Sequence, residues 1–321
     1  MNRSMRMACL SLVFVALALP EAMADQNSGI GNPEAWAPYA PGTILAFGEP
    51  RVASRDSCEC LDLVLVIDDT GSMGGAISNV QAGLLDILDL ATSTCGDVRA
   101  GLVTFKDDVE VDVPLTANLN LVINAVNALY ADGGANEPEA SDEALREVFT
   151  STVCPLTGDF DPSAWRDGCC KVTILVTDAN PGGCDDMFIQ GIDDVNAHNR
   201  ALDAAAMGIQ IGAVFVPTWG DPYNTITPIM LDYAATTNGV FGQTAWDGSG
   251  TADAIEQVIL NCIGASATEL CCLPDGQCVR LLEGDCERLS GTVVDDCDEC
   301  LATPADVETW GQIKARFRDA R

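Results

Sequence analysis

VIDDTGSMGG, Val66 to Gly75, closes an apolar run and leads into a stretch of helical spacing. It can be read in two registers. Asp69-Thr70-Gly71-Ser72 spells DTGS, a string that surrounds a catalytic carboxylate in one class of acid hydrolases. One residue earlier, Asp68-x-Thr70-x-Ser72 offers three oxygen donors of the kind a hard divalent cation takes. The first register implies hydrolysis and the second a metal-dependent binding module.

The surroundings decide between them. LDLVLVID (61–68) is continuously apolar and rich in Val, Leu and Ile, as a strand buried on both faces is. From Ala76 to Thr94, apolar residues fall at Ile77, Val80, Leu84, Leu85, Leu88 and Ala91, the spacing of a helix. Further strands are expected at 98–105, 171–178 and 209–217, an edge strand at 109–115 and a short strand around Val240-Phe241. Helices are expected at 119–130, 137–151, 195–208, 225–237 and 251–263, the one at 137 with its acids at the front end, where the helix dipole favours them. Strands alternating with helices predict an α/β domain, a doubly wound, Rossmann-like, mostly parallel sheet.

Ligands of such sheets bind at the carboxyl ends of the strands. Three loops expected there each pair a carboxylate with two glycines: Asp68 with Gly74-Gly75, Glu139 with Gly133-Gly134, and Asp178 with Gly182-Gly183. An aspartic protease would need a second Asp-Thr/Ser-Gly to share a proton with the first. None is present, and Asp247-Gly248-Ser249-Gly250 lacks the order. The cation register fits better, with hydroxyls from Thr70 and Ser72, carboxylates from three loops and a position left open to solvent or to a partner's carboxylate.

The stretch 58–264 resembles a von Willebrand factor A (vWA) domain with a metal-ion-dependent adhesion site. The order of elements and the D-x-T-x-S loop carry the resemblance. It implies Asp68, Thr70 and Ser72 as ligands from the first loop and Asp178, in LVTDANPGG, from the third. GGANEPEASDEAL (133–145) departs from the commonest second loop and is similar to that of integrin β and hemicentin-like A domains, which implies Glu139 as the remaining ligand. The implied ion is Mg²⁺ or Mn²⁺, with Ca²⁺ an alternative. The implied partner is a protein supplying an acidic residue to the metal, in adhesion or protein–protein recognition. The acids that mark an adjacent ion site in integrin β fall at Gly75 and Ala76, so no such site is expected; a second ion beside Glu139 would use Asn136. The contrasting expectation for the same residues is that Asp68 caps the following helix and the hydroxyls satisfy loop amides. An extracellular or envelope scaffold, its ion only stabilising the fold, is the alternative function. Asp69 and Glu137 are expected to be solvated.

The remaining features bound the setting. MNRSMRM, a dozen apolar residues and Ala22-Met23-Ala24 form a secretory signal with cleavage expected between Ala24 and Asp25, which places the protein in the periplasm or outside the cell. The chain carries 48 acidic against 16 basic residues and would repel nucleic acid and anionic lipid. No later segment is apolar enough to span a membrane. Of 15 cysteines, Cys9 leaves with the signal; eight lie from Cys58 to Cys262 and six from Cys271 to Cys300. Even groups in an exported chain read as a disulfide framework. From position, Cys58 or Cys60 would bridge to Cys262, and bridges at Cys169, Cys170 or Cys184 would stiffen the Asp178 loop. The organisation is a signal (1–24), an extended arm (25–57), the A domain (58–264), a cysteine-rich module similar to CCLPDG-type modules of secreted bacterial proteins (265–302) and a basic tail (303–321). Cys297-x2-Cys300 has half the spacing of a zinc site. His198, the only histidine, excludes an H-E-x-x-H protease and reads as a surface helix residue. With no nucleophile context, no enzymatic activity is expected.

Overall fold

A computed structural model describes residues 39–47, 58–134, 138–152, 154–184, 187–264, 268–274, 276, 278–282, 286, 290–294 and 297–300, all within the compact unit Asn32–Arg321. The expected signal, Asn136, Glu137 and the basic tail lie outside them. No helix among the described residues is long and apolar enough to cross a membrane.

The strands are β1 (Thr43–Ala46), β2 (Cys58–Asp68), β3 (Cys95–Phe105), β4 (Val109–Thr116), β5 (Leu156–Thr157), β6 (Cys170–Thr177), β7 (Gln210–Phe215), β8 (Val240–Gln243), β9 (Thr268–Cys272), β10 (Cys278–Leu282) and β11 (Thr292–Val294). They form one sheet in the order β11-β9-β10-β1-β8-β7-β6-β2-β3-β4-β5. The central run β8-β7-β6-β2-β3 is parallel. Helices α1 (Gly74–Thr94), α2 (Leu119–Ala128) and α6 (Thr251–Cys262) pack into one apolar cluster, and α3 (Ser141–Phe149), α4 (Asp193–Ala206) and α5 (Ile226–Thr237) into another. β2 shows why its run is apolar on both faces, with Asp62 the one interruption: Leu61, Leu63, Leu65 and Ile67 join the first cluster, while Val64 and Val66 join the second. This is the doubly wound α/β fold, with several disulfides towards its C-terminal end.

Within the expected arm, Thr43–Ala46 is a buried strand, antiparallel to β8 on one side and β10 on the other. Three expectations need correction. β4 is not the edge, because β5 pairs outside it. α3 begins at Ser141 rather than 137. Its expected first turn is drawn off by the third loop, since Glu139 donates its N–H to Asn180 O and accepts from Gly182 N–H. The Cys58/Cys60–Cys262 bridge is also wrong. The pairs are Cys58–Cys95, Cys60–Cys169, Cys154–Cys184 and Cys170–Cys262, and then Cys271–Cys286, Cys272–Cys300 and Cys278–Cys297. Neighbouring strands explain the first two: Cys58 lies opposite Cys95 in the parallel β2–β3 ladder, and Cys60 is one residue from Leu61, which lies opposite Cys170. Each cysteine group pairs within itself, and both Cys297 and Cys300 are consumed in bridges.

Candidate functional site

β2 pairs with β3 on one side and with β6 on the other. The chain leaves β2 towards β3 and leaves β6 towards β7, so the carboxyl ends of β2 and β6 form the switch point at which ligands of such sheets bind. Asp68 is the last residue of β2, Asp178 follows β6, and Glu139 lies on the loop before α3. The backbone joins these loops. Gly71 N–H donates to Gly133 O at 3.1 Å, Asp132 N–H to Asp69 O at 3.2 Å, and Glu139 forms a bridge with Pro181.

Asp68 is fully buried. Its Oδ1 accepts from the Thr70 N–H at 3.0 Å and from Thr70 Oγ1 at 2.7 Å. Its Oδ2 accepts from Thr177 Oγ1 at 2.7 Å. Thr70 Oγ1 stands 3.2 Å from Ser72 Oγ. The Ser72 side chain hydrogen-bonds Asp178, which also accepts from the Thr218 hydroxyl. Asp68, Thr70, Ser72 and Asp178 thus form one hydrogen-bonded chain across two loops. Ser72 begins no regular helix turn of its own; it sits in a 3-10 turn, Gly71–Met73, that feeds α1.

Glu139 enters through Gly134. This glycine has φ +65°, and a Cβ there would lie 2.5 Å from Thr70 Cγ2 and 2.8 Å from Glu139 Oε1. Thr70 and Glu139 therefore both crowd the space that the missing side chain leaves. Gly134→Ala is expected to destabilise the fold by about 1–3 kcal/mol, from overpacking added to left-handed backbone strain. Gly133→Ala has a similar φ of +67° but would meet only the Lys106 side chain, at 3.7 Å or more. Thermal unfolding of the two variants, with the larger loss at 134, checks this.

Burial first, and then the charge of Asp178, lifts the Asp68 carboxyl to about 7. Burial lifts Asp178 too, against the hydrogen bonds from Thr218 and Ser72. Asp69 is not the solvated residue expected from its sequence. Lys106 Nζ lies 2.7 Å from its Oδ2 and 3.4 Å from Asp132 Oδ1. Two further residues belong to the site without having been singled out: Thr177 and Thr218, which hold the two aspartates. The signal for both threonines was positional, since each sits at or just past the carboxyl end of a central strand.

The donors brought together are three carboxylates and two hydroxyls, all oxygen. His198 stands apart, its Nδ1 2.8 Å from Asp232 Oδ2. Glu143 lies close to Cys154 and Cys184, but those sulfurs are bonded to each other and do not form a metal site. Residues 62–227, half of the chain, match the family profile of the von Willebrand factor type A domain. The chain belongs to this family.

The solved structures to which the chain is similar are distant. BatB of Bacteroides thetaiotaomicron, described as a conserved hypothetical protein, is 17% identical over 62% of this chain and 97% of its own, with a TM-score of 0.43. The vWF domain of the type V pili tip protein Mfa5 of Porphyromonas gingivalis is 13% identical over 63% and 94%, with a TM-score of 0.45. Proximal thread matrix protein 1 of the mussel byssus is 14% identical over 63% of this chain and 47% of its own, with a TM-score of 0.44. No curated protein matches the chain. The A-domain profile starts at Asp62 and stops at Thr227, so β1, α6 and the cysteine-rich strands lie outside it.

Proposed function

We propose that this A domain holds a divalent cation, Mg²⁺ or Mn²⁺, on Asp68, Thr70, Ser72, Glu139 and Asp178, and through it binds an acidic residue of a protein partner outside the cytoplasm. The observation that carries this is the pair Asp68 and Asp178. Both carboxyls are buried, each raises the cost of ionising near the other, and their contacts among the described residues are hydroxyl and backbone N–H donors. No Lys or Arg is among those contacts. Buried carboxylates without a basic partner are costly unless a cation meets them. An all-oxygen donor set suits a hard ion. The bound cation supplies a Lewis-acidic position for a partner's carboxylate. Thr177 and Thr218 hold the two aspartates in place, and the loop GGANEPEASDEAL delivers Glu139 in the manner of integrin β-like A domains. The role is binding rather than catalysis. The expected signal and the disulfide framework favour an exported protein, working in adhesion or recognition.

The test is thermal unfolding of the oxidised chain 25–321 against Mg²⁺, Mn²⁺ and Ca²⁺, followed by partner capture in Mg²⁺ or chelator with Glu139→Ala as control. A saturable thermal shift with chelator-sensitive capture supports the proposal. A thermal shift with capture indifferent to chelator would leave only a scaffold stabilised by its ion.

The same acids set a pH response. Burial lifts Asp112 and Asp142 to about 6 each, and Asp68 stands at about 7. All three lie above the roughly 3.9 of an unfolded aspartate. Between about pH 4 and 7 the native chain therefore binds more protons than the unfolded chain, and its stability falls as pH rises through that window. A cation needs Asp68 ionised, so its stabilisation runs the other way. The metal-free chain is expected to melt higher at pH 5 than at pH 7.5, while the increment from saturating Mg²⁺ is larger at pH 7.5. An equal Mg²⁺ increment at both values would count against carboxylate ligation.

A further inference from the structure

The helical layer of α3, α4 and α5 contains a groove that the cation site does not use. It lies between the starts of α4 and α5 and encloses about 400 Å³. Phe188, Val195, Pro228 and Ile229 give it an apolar lining, Asp194 and Asp232 add carboxylates, and His198 lines it too, its Nδ1 2.8 Å from Asp232 Oδ2. Val195 is 50% exposed, and Ile192, just before α4, is 52% exposed. The starts of the two helices would ordinarily favour anions. Here they are already answered: Asp193 and Asp194 occupy the first turn of α4, and Asp221 accepts from the Thr225 and Thr227 amides at α5. The groove therefore suits an apolar ligand that carries positive charge.

The chain itself contains one. Residues 301–321 lie beyond the described residues, and VETWGQIKARFRDAR (307–321) carries Lys314, Arg316, Arg318 and Arg321, four of the chain's 16 basic residues. Helical spacing would set Trp310, Ile313 and Phe317 along one face, with Lys314, Arg318 and Arg321 beside it. The segment is tethered to the sheet, since Cys300 is bonded to Cys272 of β9. The nine residues between Cys300 and Trp310 can span about 30 Å when extended.

We propose that residues 307–321 dock in cis on the α4–α5 groove, with Ile313 and Phe317 covering its apolar lining and Lys314 and Arg318 facing Asp194 and Asp232. The loops that carry Asp178 and Thr218 also contribute Phe188 and Asn224 to the groove. The pairing does not depend on the cation.

The experiment places the photoreactive p-benzoyl-phenylalanine at position 317 of the full oxidised chain, irradiates an equal mixture of isotopically light and heavy chains, and maps the adducts. Adducts within one chain, joining position 317 to residues between 187 and 232, are expected. Their yield should fall to background with Lys314→Glu and Arg318→Glu, and return when Asp194→Lys and Asp232→Lys are added. Adducts to another surface, adducts only between light and heavy chains, no adducts, or a yield indifferent to charge reversal would each overturn the proposal.

Discussion

Asp68→Asn is expected to raise the melting temperature of the metal-free chain at pH 7.5 and to abolish its response to Mg²⁺. The two effects come from one carboxyl. Asp68 is ionised there at a cost, because burial and the neighbouring Asp178 lift it from 3.8 to about 7. A shift of that size corresponds to a few kcal/mol, on the order of 1.4 per unit. Asparagine removes the charge and keeps an oxygen for the Thr70 N–H and Oγ1. The Thr177 hydroxyl, now a donor to Oδ2, can accept from the new amide instead. The same change takes away a ligand. A cation at a hundred times its dissociation constant stabilises by about 2.7 kcal/mol, or roughly 5–10 °C for a domain of this size, and that increment should vanish. Asp68→Ala separates the two effects, because it also loses the increment but leaves three buried donors unanswered, at about 1–3 kcal/mol each. If Asp68→Asn kept the Mg²⁺ increment, the cation would be bound elsewhere on this acidic surface.

Arg166→Ala should be the most damaging single change away from the crevice. Asp62 in β2 has a side chain with 0% exposure, and Arg166 is its charge partner. Nε donates to Oδ1 at 2.8 Å and the backbone N–H to Oδ2 at 2.7 Å. The guanidinium also reaches Asp97 and the Leu61 carbonyl. Alanine keeps the backbone bond and strands the carboxylate. Breaking a buried pair from one side costs about 3–5 kcal/mol, on the order of 10 °C or more. The Asp62→Asn, Arg166→Ala double variant should recover part of this, and Mg²⁺ should still add its increment. Asp62 sits near the amino end of β2 and Asp68 at the other, so loss of the increment in Arg166→Ala would mean that the two ends of β2 are coupled.

The central strands were legible in the sequence because each must face two helical layers, and only a continuous run such as LDLVLVID does so. The site was legible where its donors cluster locally: Asp68, Thr70 and Ser72 occupy five consecutive positions, and a glycine pair and a carboxylate mark each of the other two loops. That these loops come together follows from a sheet whose connections diverge between β2 and β6. What escaped depends on partners far along the chain. TILA (43–46) has no period of its own and becomes a strand only because β8 and β10 flank it. Thr177 and Thr218 look like ordinary strand-end residues until their hydroxyls are seen on Asp68 and Asp178. Asp69 gains its cation from Lys106, 37 residues on. The start of α3 was displaced by hydrogen bonds to a loop some 40 residues away. The Cys58–Cys95 and Cys60–Cys169 bridges follow strand adjacency, which spacing does not encode.

β1 gives the molecule a mechanical character. It lies between β8 and β10, so the segment that precedes the A domain and the strands that follow it are neighbours in one hydrogen-bonded ladder. Tension applied between those two segments would load the short β1–β10 seam, Leu45 against Leu281 and Ala46 against Arg280. The parallel strands that carry Asp68 and Asp178 stand outside that line of force, on the far side of β8 and β7. A protein held by its flanks could be pulled without stretching the loops that hold Asp68 and Asp178.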